Sequence, residues 1–211
     1  MRRGAVFLLA SLLAGCSGFT SVPYTDPGMS ADRALVRVTT NTDVYGDSFT
    51  GACMPKVRHL MAMAGRGFNG ASPIYPAFPR ASASVGMLPP VMASLPAIGG
   101  IRQASAGPYQ PVVTEYHVPA SGLFMFSTNR AVAAASSISS VNCPEQSNVY
   151  WLEAGRQYEV TVGIDTPQSS GGGGQYRCVF EVRKLERFEH VDETLAVPVQ
   201  GVAAPEVGCR E

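Results

Sequence analysis

Hydrophobic and polar residues alternate in several short segments of this chain, with the two-residue period of β-strands. In 157–164 every second residue is apolar, and the polar residues between them, including Glu159 and Thr161, are expected to face water. The segment 176–183 repeats the alternation. Because the Ser- and Gly-rich stretch 166–174 separates the two, the pattern predicts an antiparallel hairpin.

Other segments rich in β-branched and aromatic residues predict further strands. The first is 34–40, and the second is 44–53, with a turn or bend at Asp47 and Ser48. The remaining predicted strands are 112–118, 123–126 and 149–152. Only 56–64 and 186–195 have a pattern compatible with short helices, so we expect a mainly β fold.

A long Pro-, Ala- and Gly-rich stretch, residues 65–111, interrupts the predicted strands. It contains eight prolines between Pro73 and Pro111, and proline removes the backbone donor that a sheet ladder needs. We therefore predict an insertion that is extended or partly disordered. The rest of 33–211 has the length of one β-sandwich domain.

Charge excludes a general affinity for nucleic acid. The chain has 16 basic and 16 acidic residues, and loss of Arg2 and Arg3 with a cleaved leader would leave a formal charge of −2. Between Ser48 and Thr114, however, there is no Asp or Glu, while five basic residues occur. These bases suit an anionic polymer or an envelope protein as partner, so we expect the functional surface within 65–111.

The N-terminus has the pattern of an export signal. Arg2 and Arg3 precede the apolar run Ala5–Ala14, which is too short to cross a bilayer because a spanning helix needs about 20 apolar residues. We interpret residues 1–15 as a cleaved signal peptide. Residues 16–32, which are polar and rich in Pro and Gly, are predicted to be a flexible tether.

The junction Leu13-Ala14-Gly15-Cys16 resembles the lipobox of bacterial lipoproteins. The resemblance implies cleavage before Cys16, a diacylglycerol on its sulfur and a further acyl chain, such as palmitate, on its amino group. Together these chains exceed what stable anchoring requires. In that family an Asp after the cysteine usually marks inner-membrane retention. Ser17 therefore implies the periplasmic face of the outer membrane.

Four further cysteines are an even number in an exported chain, which indicates two disulfides. Three pairings are possible. We favour Cys143 with Cys178, which would join the strands flanking one hairpin-like unit, and Cys53 with Cys209, which would tie the C-terminal tail to a sheet edge. Metal binding by these thiols is disfavoured because no C-x-x-C pair occurs.

The segment 152–160 resembles the tyrosine corner of immunoglobulin-like and fibronectin type III sandwiches, through Leu152, the turn glycine Gly155 and Tyr158. The resemblance implies an antiparallel immunoglobulin-like β-sandwich. The longer arrangement also resembles a group of proteobacterial envelope lipoproteins with this fold. That second resemblance implies no activity.

One tetrapeptide, Gly46-Asp47-Ser48-Phe49, resembles the nucleophile block of GDSL-type serine esterases. The rest of that family's pattern is missing, because Gly67-Phe68-Asn69-Gly70 lacks the expected Asp and Arg187 stands where an Asp should precede His190. Without a base and its orienting carboxylate, Ser48 would not be activated. Esterase or lipase activity is therefore the alternative hypothesis.

No cofactor or metal site follows from the sequence. His59 with Met54, Met61 and Met63 could suit Cu(I), but methionines at this spacing more often pack in a core. Gly171–Gly174 lacks the Lys and Ser/Thr of a phosphate loop. We therefore expect a non-enzymatic, lipid-anchored envelope protein with a binding or structural role.

Overall fold

The structure is a computed structural model that describes residues 19–28, 32–50, 53–64, 77–90, 112–134, 140–165, 177–187 and 194–204. Throughout these ranges the regular elements are strands. The same ranges contain no helix that is long and apolar enough to cross a membrane. The strands are β1 (Thr20–Pro23), β2 (Arg33–Thr40), β3 (Asp43–Phe49), β4 (Val57–Met63), β5 (Val112–Pro119), β6 (Leu123–Thr128), β7 (Ala131–Ala134), β8 (Ser140–Cys143), β9 (Gln146–Trp151), β10 (Gln157–Asp165), β11 (Arg177–Arg187), β12 (Thr194–Pro198) and β13 (Val202–Ala203).

Two sheets pack face to face as a sandwich, which confirms the mainly β prediction. The six-stranded sheet has the order β1-β4-β3-β6-β9-β13, and the five-stranded sheet has the order β12-β11-β10-β2-β5. The expectation of a purely antiparallel sandwich is wrong, because β1 pairs with β4 and β2 pairs with β10 in parallel. Both parallel pairs join strands far apart in sequence, and residue periodicity carries no information about such partners.

The inner faces of the sheets supply an apolar core. Val36, Val38, Val160 and Phe124 are fully buried there, as alternation along their strands requires. The hairpin of β10 and β11 is confirmed, with Val160 opposite Val182.

The outer face of β10 differs from the prediction, because Glu159 and Thr161 are buried rather than exposed. Alternation correctly assigns these residues to the face opposite the core. It does not reveal that another segment of the chain covers that face.

Two segments that the sequence left ambiguous are strands. The possible helix at 56–64 is β4, and within the possible helix at 186–195 the described residues belong to β11 and β12. The bend predicted at Asp47 and Ser48 is also wrong, because β3 runs through both residues, which pair with Met125 and Phe124 of β6. Tertiary pairing overrides weak local preference in these segments.

The N-terminal segment is integrated into the sandwich. Residues Thr20–Pro23, within the predicted tether, form β1 and pair with Val57–Leu60. Tyr24 then inserts between the sheets, with its ring 5.2 Å from that of Tyr116 and its hydroxyl donating to the His117 carbonyl at 3.0 Å. Burial raises the pKa of Tyr24. The chain is therefore fixed to the domain from Phe19 onward.

The turn between β9 and β10 has the hydrogen bond expected of a tyrosine corner. The Tyr158 hydroxyl accepts a bond from the Glu153 N–H at 2.9 Å, while the ring is buried beside Leu152. Gly155 has φ +73°, a conformation that side chains with a Cβ rarely adopt. The hydroxyl thus satisfies a backbone donor that the turn leaves unpaired.

The opposite end of the sandwich carries a small hairpin of β7 and β8 and the predicted disulfide. Cys143 and Cys178 are bonded with a Cα–Cα distance of 5.6 Å, which confirms this pairing. Cys53 is also disulfide-bonded. Its predicted partner, Cys209, lies outside the described residues, so that pairing stays a prediction.

Candidate functional site

The outer face of the five-stranded sheet holds a buried group of charges, named here the Arg37 cluster: Arg37, Glu115 and Glu159. Arg37 lies on β2, directly between Glu115 on the neighbouring strand β5 and Glu159 on the neighbouring strand β10. Arg37 donates from Nε and Nη2 to Glu115 Oε1 at 3.0 and 2.7 Å, and from Nη1 to Glu159 Oε1 at 2.7 Å. One guanidinium thus bridges two carboxylates that would otherwise be buried without a counter-charge.

Part of the predicted insertion covers this cluster. We name residues 83–88 the strap. The Leu88 carbonyl accepts a hydrogen bond from Arg37 Nη2 at 2.5 Å. The Ser84 hydroxyl and the Val85 N–H each donate to Glu115 Oε2 at 2.8 Å. The Leu88 N–H also donates to Gln157 at 2.7 Å.

The strap also helps to lower the pKa of Glu115. Burial alone raises the pKa of Glu115, but the hydrogen bonds from Arg37, Val85 and Ser84 outweigh it, and the net pKa is lowered. The strap therefore functions as a cover that satisfies buried charges.

A second charged group, named here the Asp47 cluster, lies on the six-stranded sheet: Asp47, Arg58, His59 and Glu145. Asp47 Oδ1 lies 2.7 Å from His59 Nδ1 and accepts the His59 N–H at 3.1 Å. Arg58 pairs with Glu145 at 2.7 Å, and its guanidinium stacks 3.9 Å from the Phe19 ring centroid. Asp47 and Arg58 are buried, whereas the side chains of His59 and Glu145 are about half-exposed, at 44% and 49%.

Three buried polar atoms of the Asp47 cluster have no hydrogen-bond partner among the described residues: Asp47 Oδ2, Arg58 Nε and Arg58 Nη1. Burial raises the pKa of Asp47, and the contacts with His59 and Arg58 oppose this only in part. In the Arg37 cluster, within the part of the chain that the structure describes, the only such atom is Glu159 Oε2. The Asp47 cluster therefore has the hydrogen-bonding capacity to engage a polar group, and its rim is accessible through His59.

The Asp47–His59 pair has a chemical consequence for the esterase-like block. A carboxylate that holds one imidazole nitrogen can orient the other as a base. However, Ser48 is exposed, points away from Asp47 by strand alternation, and has no side-chain hydrogen bond to His59. The nucleophile–base contact of a serine hydrolase is not formed.

Gly46 of the same block has a packing role. A Cβ at this position would lie 2.3 Å from Met61 Sδ and 3.0 Å from the Phe124 ring, so a larger residue would force core side chains to move. Close packing alone therefore explains the glycine.

The methionines and histidines do not assemble into a metal site. Met61 is in the core between the sheets, whereas Met54 packs against a separate cluster around Met125, and His59 is engaged by Asp47. His117 pairs with Asp26 at 3.1 Å. No group of three potential His, Cys, Asp or Glu ligands occurs in the ranges that the structure describes.

A small pocket lies beside the Cys143–Cys178 disulfide. Asn129, Gln146 and Phe180 are among its lining residues, none of which carries a charge. The lining of this pocket thus offers no ionisable side chain for acid–base chemistry.

Neither charged cluster is predicted by the sequence pattern. Alternation predicts that Glu159 faces water, and Asp47 is predicted to lie in a turn or bend. An arginine and a glutamate on opposing strands are a signal of such a cluster only when the strand pairing is known. Of the predicted site residues, Cys16 and Cys209 lie outside the described residues, whereas Leu152, Gly155 and Tyr158 come together in the corner.

Comparison with known proteins gives no assignment: no family model, curated protein or solved structure matches this chain.

Proposed function

We propose that this protein is a lipid-anchored protein of the bacterial cell envelope with a non-enzymatic binding or structural role. Cys16 carries the lipid, and the domain lies on the periplasmic face of the outer membrane. The observation that carries the proposal is the Cys143–Cys178 disulfide in a chain whose N-terminus resembles a lipoprotein signal. Structural disulfides persist in oxidising compartments, which supports export.

The immunoglobulin-like assignment of the sandwich is part of this proposal. The bond between Tyr158 and Glu153, with Gly155 at the turn, supports it because the tyrosine corner is typical of that fold. Sandwiches of this kind commonly present binding surfaces on a rigid frame.

The partner surface lies in residues 65–111 and takes an envelope protein or an anionic polymer. The strap holds the middle of this region to the sheet, and Arg80, just before it, is exposed. Arg66 and Arg102 lie outside the described residues. A base next to a fixed segment loses little conformational entropy on binding, which favours an anionic partner there.

Acyl labelling tests the anchor. Cells expressing the wild type or Cys16→Ser are fed a tagged fatty acid, and we expect label on the wild type alone. Label retained by Cys16→Ser would refute lipidation at this residue.

Cross-linking tests the partner surface. A photo-reactive group at Arg80 should capture an envelope component in intact membranes, whereas the same group at the exposed Gln200 should not. Equal capture at both positions would contradict a specific surface in 65–111.

A second candidate function is ester hydrolysis by Ser48, which the neighbouring Asp47–His59 pair favours. A conformational change would have to bring His59 to Ser48. Turnover of a chromogenic short-chain ester separates the two functions. Loss of turnover in both Ser48→Ala and His59→Ala would support the hydrolase, and equal background rates in all three proteins would leave the binding function.

A further inference from the structure

One end of the sandwich combines the N-terminus with exposed apolar side chains. Thr20 begins β1 and lies opposite Val57, the first residue of β4. Because β3 and β4 are antiparallel, the last residue of β3, Phe49, lies at this same end. We name this region the anchor end.

A row of large apolar residues crosses the anchor end on the outer face of the six-stranded sheet. Phe49 is paired with Leu123, and Leu123 is paired with Trp151. Trp151 is 63% exposed and Leu123 is 41% exposed, although both could have been polar without affecting the core. The row therefore presents a continuous apolar edge to its surroundings.

The five-stranded sheet extends the same end. The turn after Trp151 leads directly into β10, whose first residue, Gln157, pairs with Leu185. The next residue along β11, Glu186, pairs with Leu195, which is 47% exposed. Exposed apolar side chains from both sheets thus lie at one end of the molecule.

The length of chain before the domain places this end near the lipid. Two residues, Ser17 and Gly18, separate Cys16 from Phe19, and the three Cα–Cα steps from Cys16 to Phe19 span at most about 10 Å. A lipid on Cys16 fixes that residue at the bilayer surface, so β1 cannot lie far from the headgroups. Because β1 is hydrogen-bonded into the sheet, the position of the whole anchor end is restricted as well.

We propose that the anchor end rests on the lipid bilayer, with Trp151 and Leu123 inserted at the headgroup level. Tryptophan suits this position because its ring is apolar while its N–H can bond to polar groups. The turn beside it carries Glu153, whose charge is compensated by Lys184 at 3.0 Å and Arg156 at 3.7 Å. The orientation rests on the proposed lipid anchor.

The protein supplies its own probe, because Trp151 is its single tryptophan. The lipidated protein is reconstituted into phosphatidylcholine–phosphatidylglycerol vesicles with brominated acyl chains, and co-flotation with the vesicles is measured on the same sample. We expect Trp151 emission to be quenched and shifted to shorter wavelength. Acrylamide quenching should fall about twofold or more relative to soluble Cys16→Ser, since headgroup-level rings are shielded from water.

A matched variant controls for general effects of the vesicles. Trp151→Phe combined with Val132→Trp moves the indole to an exposed position on β7, at the disulfide end. Its emission should stay water-like in the same vesicles.

Two further outcomes would overturn the orientation. Co-flotation with unchanged acrylamide quenching of Trp151 would overturn the orientation alone and would leave a partner protein as the occupant of this edge. Failure to co-float would overturn both the orientation and the lipid anchor.

Discussion

The outer faces of the two sheets each carry buried charges, but the charges are satisfied to different degrees. In the Arg37 cluster the guanidinium contacts two carboxylates, and the strap supplies donors to Glu115. In the Asp47 cluster Arg58 pairs with the half-exposed Glu145, and two of the Arg58 nitrogens have no partner in the described ranges. The first arrangement is a closed structural unit, whereas the second keeps unused hydrogen-bonding capacity close to solvent.

The difference shows how an insertion can become structural. Without residues 83–88, Glu115 would lose the donors of Ser84 and Val85 and would be held by Arg37 alone. Buried charges need several hydrogen bonds to offset their desolvation. The strap therefore has a structural role that needs no partner, and we expect the partner surface in the rest of 65–111.

The largest expected effect is that of removing Arg37. Arg37→Met leaves Glu115 and Glu159 buried without a counter-charge, so we expect a loss of about 3–5 kcal/mol in the free energy of unfolding. Urea denaturation of the soluble Cys16→Ser form would measure it. A loss below about 1 kcal/mol, the range of exposed ion pairs, would show that the cluster is not a closed unit.

The two clusters should respond to pH in opposite directions. The pKa of Glu115 is lowered in the folded protein, so its contribution to stability is present above its ordinary value of 4.5 and is lost as pH falls through the folded value. The pKa of Asp47 is raised, so folding loses stability as pH rises above its ordinary value of 3.8.

Unfolding free energies at pH 4 and pH 7 test this contrast. Relative to the wild type, Asp47→Asn should increase the free energy of unfolding more, or reduce it less, at pH 7 than at pH 4. Glu115→Gln should reduce the free energy of unfolding more at pH 7 than at pH 4. If the effect of both substitutions on the free energy of unfolding changed in the same direction between pH 4 and pH 7, the contrast between the two clusters would be wrong.

Two buried tyrosines extend the distinction between partnered and unpartnered groups. Tyr158→Phe removes the acceptor of the Glu153 N–H, and we expect it to cost about 1 kcal/mol. Tyr150→Phe is the matched control, because burial raises the pKa of Tyr150 to about 12 and its hydroxyl makes no side-chain hydrogen bond with the described residues. An equal effect of the two substitutions on the denaturation midpoint would mean that the corner bond contributes nothing.

The smallest effect should come from Arg58. Arg58→Met removes two unpartnered nitrogens together with one pair to a half-exposed carboxylate, so we expect less than about 1 kcal/mol of destabilisation. The same denaturation series measures it beside Arg37→Met. A loss as large as that of Arg37→Met would show that the two clusters are equivalent.

The sequence predicts what depends on local pattern. Alternation around Val160 predicts the hairpin, and the even cysteine count together with predicted strand positions predicts Cys143–Cys178. It does not predict what depends on distant pairing. Glu159 is polar and lies on the predicted outer face, but only the placement of the strap shows that it is buried.

The structure of the N-terminal segment also depends on pairing with a distant strand. Its Pro- and Gly-rich composition indicates a tether, yet Thr20–Pro23 pair with a strand that the sequence itself left ambiguous. β1 forms because the edge of β4 offers backbone hydrogen-bonding groups to it, although the composition of β1 gives only a weak preference for a strand. The Arg37 cluster depends on distant pairing in the same way, since it joins β2, β5 and β10. The Asp47 cluster lies mainly on the consecutive strands β3 and β4, and the sequence does not predict it because the pattern of 56–64 is compatible with a short helix.

The proposed lipid anchor is decided by the chemical state of Cys16. Mass spectrometry of the N-terminal peptide from the membrane-extracted protein reads that state without an engineered variant. We predict a peptide that begins at Cys16 and carries a diacylglyceryl group on sulfur and an acyl chain on nitrogen. A peptide that retains residues before Cys16, or one that begins at Cys16 with a free thiol, would contradict the proposed lipid anchor at Cys16.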